Sequence, residues 1–139
     1  MFKIGCYNIQ MDNQTLIDAA MPLRDDVKRT DLVHTGGVAA ALETEDGVII
    51  TGVCVDASCG IGFCAEHAAI AELGKTKSMR IKKIVAVNWD GSILPPCGRC
   101  RELIYEVDYR NADTRVIIAS NKDVALSELL PMRWQGPAE

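Results

Sequence analysis

Phe63–Gly74 reads FCAEHAAIAELG, and the chain's fold and chemistry both turn on it. The Ala-rich pattern predicts a helix from Ala65 to Gly74, with Gly74 as its stop and lysines just beyond. Cys64 and Glu66 stand two residues apart where that helix begins, and neither is an obvious choice for packing a core. Thiolates and carboxylates are both stabilised at a helix N-terminus, so the position suits them electrostatically.

Working outward, Val38–Leu42 and Val48–Val55 are apolar runs joined by ETEDG, whose Asp46-Gly47 pair predicts a hairpin. Upstream, Leu16, Ile17, Ala20, Leu23 and Val27 lie at helical spacing and predict a helix over Asn13–Val27, interrupted near Pro22. Downstream come a buried-type strand at Ile81–Trp89, closed by Asp90-Gly91, and a helix at Gly98–Tyr109 with Leu103, Ile104 and Val107 facing the core. A strand at Arg115–Ala119 and a short tail around SELLPMRWQG complete the chain. The order helix, hairpin, helix, strand, helix, strand predicts an α/β protein with a mixed sheet covered by helices.

At 139 residues the chain is expected to form one domain, 1–139, with a core that needs no disulfide staples. Its 48% hydrophobic and 24% charged content is that of a folded globular protein. The start lacks a signal-peptide core and there is no run of eighteen apolar residues, so a cytoplasmic protein with no membrane partner is expected. A net charge of -4 argues against a general nucleic-acid binder. Lys75, Lys77, Arg80, Lys82 and Lys83 form one local exception, read as a solvated helix end rather than a phosphate-contacting patch.

Six cysteines in a chain without an export signal point away from a disulfide framework. Cys97 and Cys100, in PPCGRCRE, form a CxxC pair that alone reads equally as half a zinc site or as a redox dithiol. Cys64 shifts the balance, because all three thiols fall at predicted helix starts, where thiolates are favoured, and three sulfurs suit zinc. His67 could close a structural site, but Glu66 beside an open zinc position is what proton transfer from water requires. Taken alone, Glu66 would read as a residue complementing the helix dipole. Cys6, Cys54 and Cys59 read as packing or incidental thiols, and His34 as a local hydrogen-bonding residue.

CAE at Cys64–Glu66 followed by PCGRCRE at Pro96–Glu102 resembles the cytidine deaminase family of zinc hydrolases. GGVAAAL, ITGV and LSELLP are similar to the family's first strand, second strand and C-terminal segment. The resemblance implies a three-layer α/β/α fold with a mixed central sheet and a homotetramer whose subunits contribute to one another's pockets. It implies one Zn2+ per subunit on Cys64, Cys97 and Cys100, with Glu66 as the catalytic proton shuttle. The Pro95 carbonyl would hold the substrate's amino group and the Ala65 amide the reacting oxygen. A Cys as first ligand is usual in the enzymes of this family that act on free nucleosides. Three thiolates and one zinc carry about one net negative charge, and His67 stands where nucleoside enzymes often place an Arg. Arg99 and Arg101 are the candidates to offset that charge, with a solvent-facing helix position as the alternative for Arg101.

The sequence departs from the family at the sugar-binding NxE, which becomes Cys54 and Asp56, and at FPVGAAL, where Gly36 and Gly37 replace Phe and Pro. Asp56 still accepts a hydroxyl hydrogen bond, whereas Cys54 is a poor substitute for an amide. The tail ELLPMRWQG is similar to that of blasticidin S deaminase, which makes Trp134 a substrate-binding candidate beside its packing reading. The expectation is therefore a zinc-dependent deaminase of cytidine, deoxycytidine or an analogue acting in pyrimidine salvage. The alternatives are a deaminase of blasticidin S or another aminated heterocycle, a CxxC redox protein, and a non-catalytic zinc protein.

Overall fold

The computed structural model describes residues 11–137. Helix α1 spans Asn13–Ala20, where the Asp12 carboxylate accepts from the Thr15 amide at 2.8 Å and its hydroxyl at 2.6 Å. It ends earlier than the apolar spacing predicts. Pro22 allows only a single 3-10 turn over Met21–Leu23, and Val27 belongs instead to a short strand, β1 (Val27–Lys28).

The hairpin is formed by β2 (Val33–Thr44) and β3 (Ile49–Ala57), paired antiparallel. Strand β2 starts five residues before Val38, because a register shift between Thr35 and Ala39 carries the pairing through Gly36-Gly37. There follow α2 (Ala65–Leu73), β4 (Ile81–Asn88), β5 (Ile93–Leu94), α3 (Gly98–Val107), β6 (Arg115–Ala119), β7 (Lys122–Ala125) and α4 (Leu126–Leu129). The seven strands form one sheet in which β3, β2, β4, β6 and β7 lie in that order. Strand β1 also borders β2 and β5 borders β4, and only the β4–β6 pair is parallel.

Alternation along β2 divides the core. Ala39 and Ala41 face α1, packing with Leu16, Ile17, Ala20, Val85, Val87 and Ile117. Leu42 faces the other side, with Ile70 and Leu73 of α2, Ile104 and Tyr105 of α3, and Leu126 of α4. The result is the expected three-layer α/β/α arrangement with a mixed sheet.

Two glycines bring α2 to its position. A Cβ on Gly52 of β3 would stand 2.5 Å from the Ala69 amide and 2.7 Å from the Ala65 carbonyl, so only glycine lets the helix lie so close. A Cβ on Gly62 would meet the Val55 carbonyl at 2.2 Å, and its absence lets Phe63 pair with Val55 just before the helix starts.

Part of the basic cluster beyond α2 is taken up by the fold. Lys83 is buried and donates to the Met11 carbonyl at 2.7 Å, and Arg80 reaches Asn111 and Thr114. Lys75 pairs with Glu72.

Candidate metal centre and substrate cavity

Cys64 is the N-cap of α2, Cys97 the N-cap of α3, and Cys100 lies in the first turn of α3. The Cys64 thiol makes no hydrogen bond to its own helix, so its sulfur is free to turn toward the other two. Cys64 Sγ lies 3.6 Å from Cys97 Sγ, which lies 3.4 Å from Cys100 Sγ, and all three fall within 4.8 Å of one another. Tetrahedral zinc with bonds of about 2.3 Å separates sulfurs by roughly 3.8 Å, so the triad fits that ion. His67 is not part of the group, and its Nε2 is buried without a hydrogen-bond partner. Three sulfurs, with no fourth Cys or His joining them among the described residues, make up the group.

The five cysteines among the described residues are all free, and Cys6 lies outside the described residues. Cys59 is exposed in a turn, and His34 Nδ1 contacts Asp26 at 3.2 Å, in line with their sequence readings.

The thiol acidities correct one expectation. Burial pushes Cys64 up, and burial followed by the Glu66 charge pushes Cys100 up. Cys97 alone is lowered: burial opposes the shift, but hydrogen bonds from the Cys100 amide and from the two neighbouring thiols outweigh it. Helix N-termini therefore do not suffice to ionise all three. Deprotonation of Cys64 and Cys100 falls to a bound cation.

Glu66 is 5% exposed, and burial raises its carboxyl above the ordinary range. It opens, with Cys64 and Cys97, onto a cavity of about 460 Å³ that also meets Ala65, Pro95 and Asp56. The volume is that of a small-molecule site. Phe63, Val38, Ala86 and Leu94 supply apolar walls. None of these four had a sequence signal, because their convergence depends on strand pairing such as Ala86 with Leu94.

At the Asp56 side, buried Cys54 accepts from the Val38 amide at 3.2 Å and donates to Asp56 Oδ2 at 3.7 Å. Burial raises the Cys54 thiol, which keeps it protonated as that donor. Arg99 lines the cavity, whereas Arg101 donates to the Pro96 carbonyl at 2.8 Å and the Leu129 carbonyl at 3.0 Å. Arg101 is thus neither solvent-facing nor turned to the sulfurs. Burial and then Arg99 lower the His67 imidazole. Trp134 is not brought to this cavity. Its amide donates to Glu102 at 3.0 Å, and its largely exposed ring borders a second cavity of about 430 Å³ with His67, Arg99 and Glu102.

Residues 2–118 match the family described as the cytidine and deoxycytidylate deaminase zinc-binding region. The chain belongs to the cytidine and deoxycytidylate deaminase family. The family is a zinc-binding one, and Cys64, Cys97 and Cys100 lie close enough together to hold such an ion. Cytidine deaminase from Mycobacterium tuberculosis H37Rv is 40% identical over 70 residues, which are 50% of this chain and 53% of that protein. In that alignment the chain spans about half the relative's length. The crystal structure of the M. tuberculosis enzyme superposes with a TM-score of 0.75 at 28% identity, covering 91% of this chain and 99% of that one. Cytidine deaminase from Halalkalibacterium halodurans is 32% identical over 126 residues, covering 87% of this chain and 92% of that protein. Blasticidin-S deaminase from Bacillus cereus is 30% identical over 140 residues, with coverage of 92% and 96%. No helix among the described residues is long and apolar enough to cross a membrane.

Proposed function

We propose that this chain is a zinc-dependent hydrolytic deaminase that releases ammonia from a cytosine nucleoside or an analogue of one. The observation that carries the reading is the buried Glu66 carboxyl, opening onto one cavity together with Cys64 and Cys97 of the cysteine triad. A purely structural zinc site gains nothing from it. Zinc, when bound, supplies a Lewis acid that makes water a nucleophile near neutral pH.

The chain's own residues account for the rest. Glu66 takes one proton from water and passes it to the ring nitrogen as the C–O bond forms, then takes the remaining proton from the added hydroxyl and delivers it to the amino group, so that the C–N bond breaks, a carbonyl is left and ammonia departs. The pKa of Glu66, raised by burial, suits a group that must both accept and return a proton. The Pro95 carbonyl accepts a hydrogen bond from the amino group. The Ala65 amide, an uncommitted donor in the first turn of α2, holds the reacting oxygen. Arg99 offsets the charge of the thiolates, with His67 beside it. Asp56 accepts from the substrate's hydroxyl or amine groups.

A second reading, blasticidin S as substrate, is favoured by one observation. The Cys54 thiol is spent on Asp56, so this end of the cavity offers an acceptor and lacks the amide donor of a nucleoside site. The likeness to the B. cereus enzyme supports it. Ammonia release from cytidine, deoxycytidine and blasticidin S separates the two. Turnover of either cytosine nucleoside supports the first and turnover of blasticidin S alone supports the second. No ammonia from any of the three with zinc-loaded protein contradicts both.

The same reading takes residues 1–139 as one cytoplasmic domain acting in pyrimidine salvage and assembling as a homotetramer. Free thiols fit a reducing compartment, and Leu32, Ile61 and Phe63 are each exposed, as side chains that pack against a neighbouring subunit would be in the lone chain. Sedimentation at micromolar concentration checks the assembly; a monomer there contradicts it.

A further inference from the structure

We infer that Arg101 is a positioning residue that clamps the metal-binding turn to the C-terminal helix α4. The inference rests on Cys97 and Pro95 belonging to the active site, as proposed above. Pro95 and Pro96 have no N–H, so the turn leading into Cys97 cannot be pinned through backbone donors of its own. Among the described residues, the hydrogen bond found on the Pro96 carbonyl comes from Arg101 Nε, at 2.8 Å.

The other arm of the same guanidinium donates from Nη1 to the Leu129 carbonyl at 3.0 Å. That carbonyl is one of the last in α4, and such groups have no partner within their own helix. Helix α4 is a firm anchor despite its four residues. Leu126 is fully buried and its amide donates to the Thr114 carbonyl at 2.9 Å, while the Ala125 amide is held by Glu128 at 2.9 Å. A line of contacts therefore runs from the core through α4 and Arg101 to Pro96, and so to the Cys97 sulfur and the Pro95 carbonyl. The planar fork of arginine spans two carbonyls at once, whereas a lysine ammonium on its flexible stem does not.

This placement divides labour between the two arginines of the CGRCR segment. Arg99 faces the cavity with its charge, and Arg101 sets the position of the turn.

The test is zinc release from purified protein into a chromogenic chelator, with kcat and KM measured alongside for wild type, Arg101→Gln and Arg101→Lys. The clamp predicts zinc release about tenfold faster in Arg101→Gln, within the range known for residues that orient metal ligands. It also predicts a lowered kcat, and only partial recovery in Arg101→Lys although the charge is restored. Full recovery by lysine would overturn the clamp in favour of a charge effect. Wild-type release from Arg101→Gln, even with a lowered melting temperature, would overturn it in favour of a purely structural tie. Wild-type protein that holds no zinc would instead overturn the functional reading on which the inference rests.

Discussion

Two polar centres lie toward opposite ends of β4, and they are built on opposite principles. At the strand's start, fully buried Asn111 accepts from the Ile81 amide at 2.8 Å and from Arg80 at 3.2 Å. It donates to the carbonyls of Met79 at 3.0 Å and Ile104 at 2.8 Å. Thr114, equally buried, donates to the Ile81 carbonyl at 2.7 Å. The side-chain donors of Asn111 and Thr114 all meet acceptors. Toward the other end, three sulfurs crowd within 4.8 Å of one another beside the buried Glu66 carboxyl. A closed network of this kind fixes the fold, whereas an open one is held ready for groups the chain does not supply.

The sharpest way to break this contrast is to alter one polar group at each end. Glu66→Gln should lower kcat by roughly 10³-fold, the scale of a lost general acid–base, while zinc content and melting temperature stay at wild-type values. Asn111→Ala should do the reverse. Leaving the Ile81 amide and the Met79 and Ile104 carbonyls unpaired should cost about 3 kcal/mol in urea unfolding, with kcat per folded molecule unchanged. If Asn111→Ala instead lowered kcat with stability intact, the two centres would not be separate in function.

A smaller effect sharpens the division inside the cavity. Asp56→Asn should raise KM about tenfold, the scale of a hydrogen bond to a charged acceptor, with kcat changed much less. A fall in kcat at constant KM would place Asp56 with the reacting groups and away from substrate recognition.

The strongly patterned parts of the fold were legible in the sequence, because α2, β4 and β6 each carry a clear period or an unbroken apolar run. The two-residue strands β1 and β5, and the four-residue β7 and α4, are too short to show any period; β1 and β5 exist because the long strands β2 and β4 offer them an edge, and β7 because it pairs with β6. Helix α1 was over-extended for a local reason, since the apolar spacing continued past Pro22 while the backbone could not.

At the site, Cys64, Glu66, Cys97 and Cys100 were legible because metal chemistry restricts residue type and spacing. The acidities of the thiols were not, since burial overrides the helix ends for Cys64 and Cys100. Arg101 and Trp134 were misplaced by sequence for a shared reason: their partners, Leu129 and Glu102, lie about thirty residues away, and only the packed tail brings them together.

The central claim is that the open centre is completed by zinc and works only when it is. Its most direct measurement is zinc per chain alongside ammonia release, taken on purified protein, after chelation, and after zinc is restored. About one zinc per chain is expected from a single triad, with turnover lost on chelation and regained on restoration. Full turnover from protein stripped of metal would contradict the account.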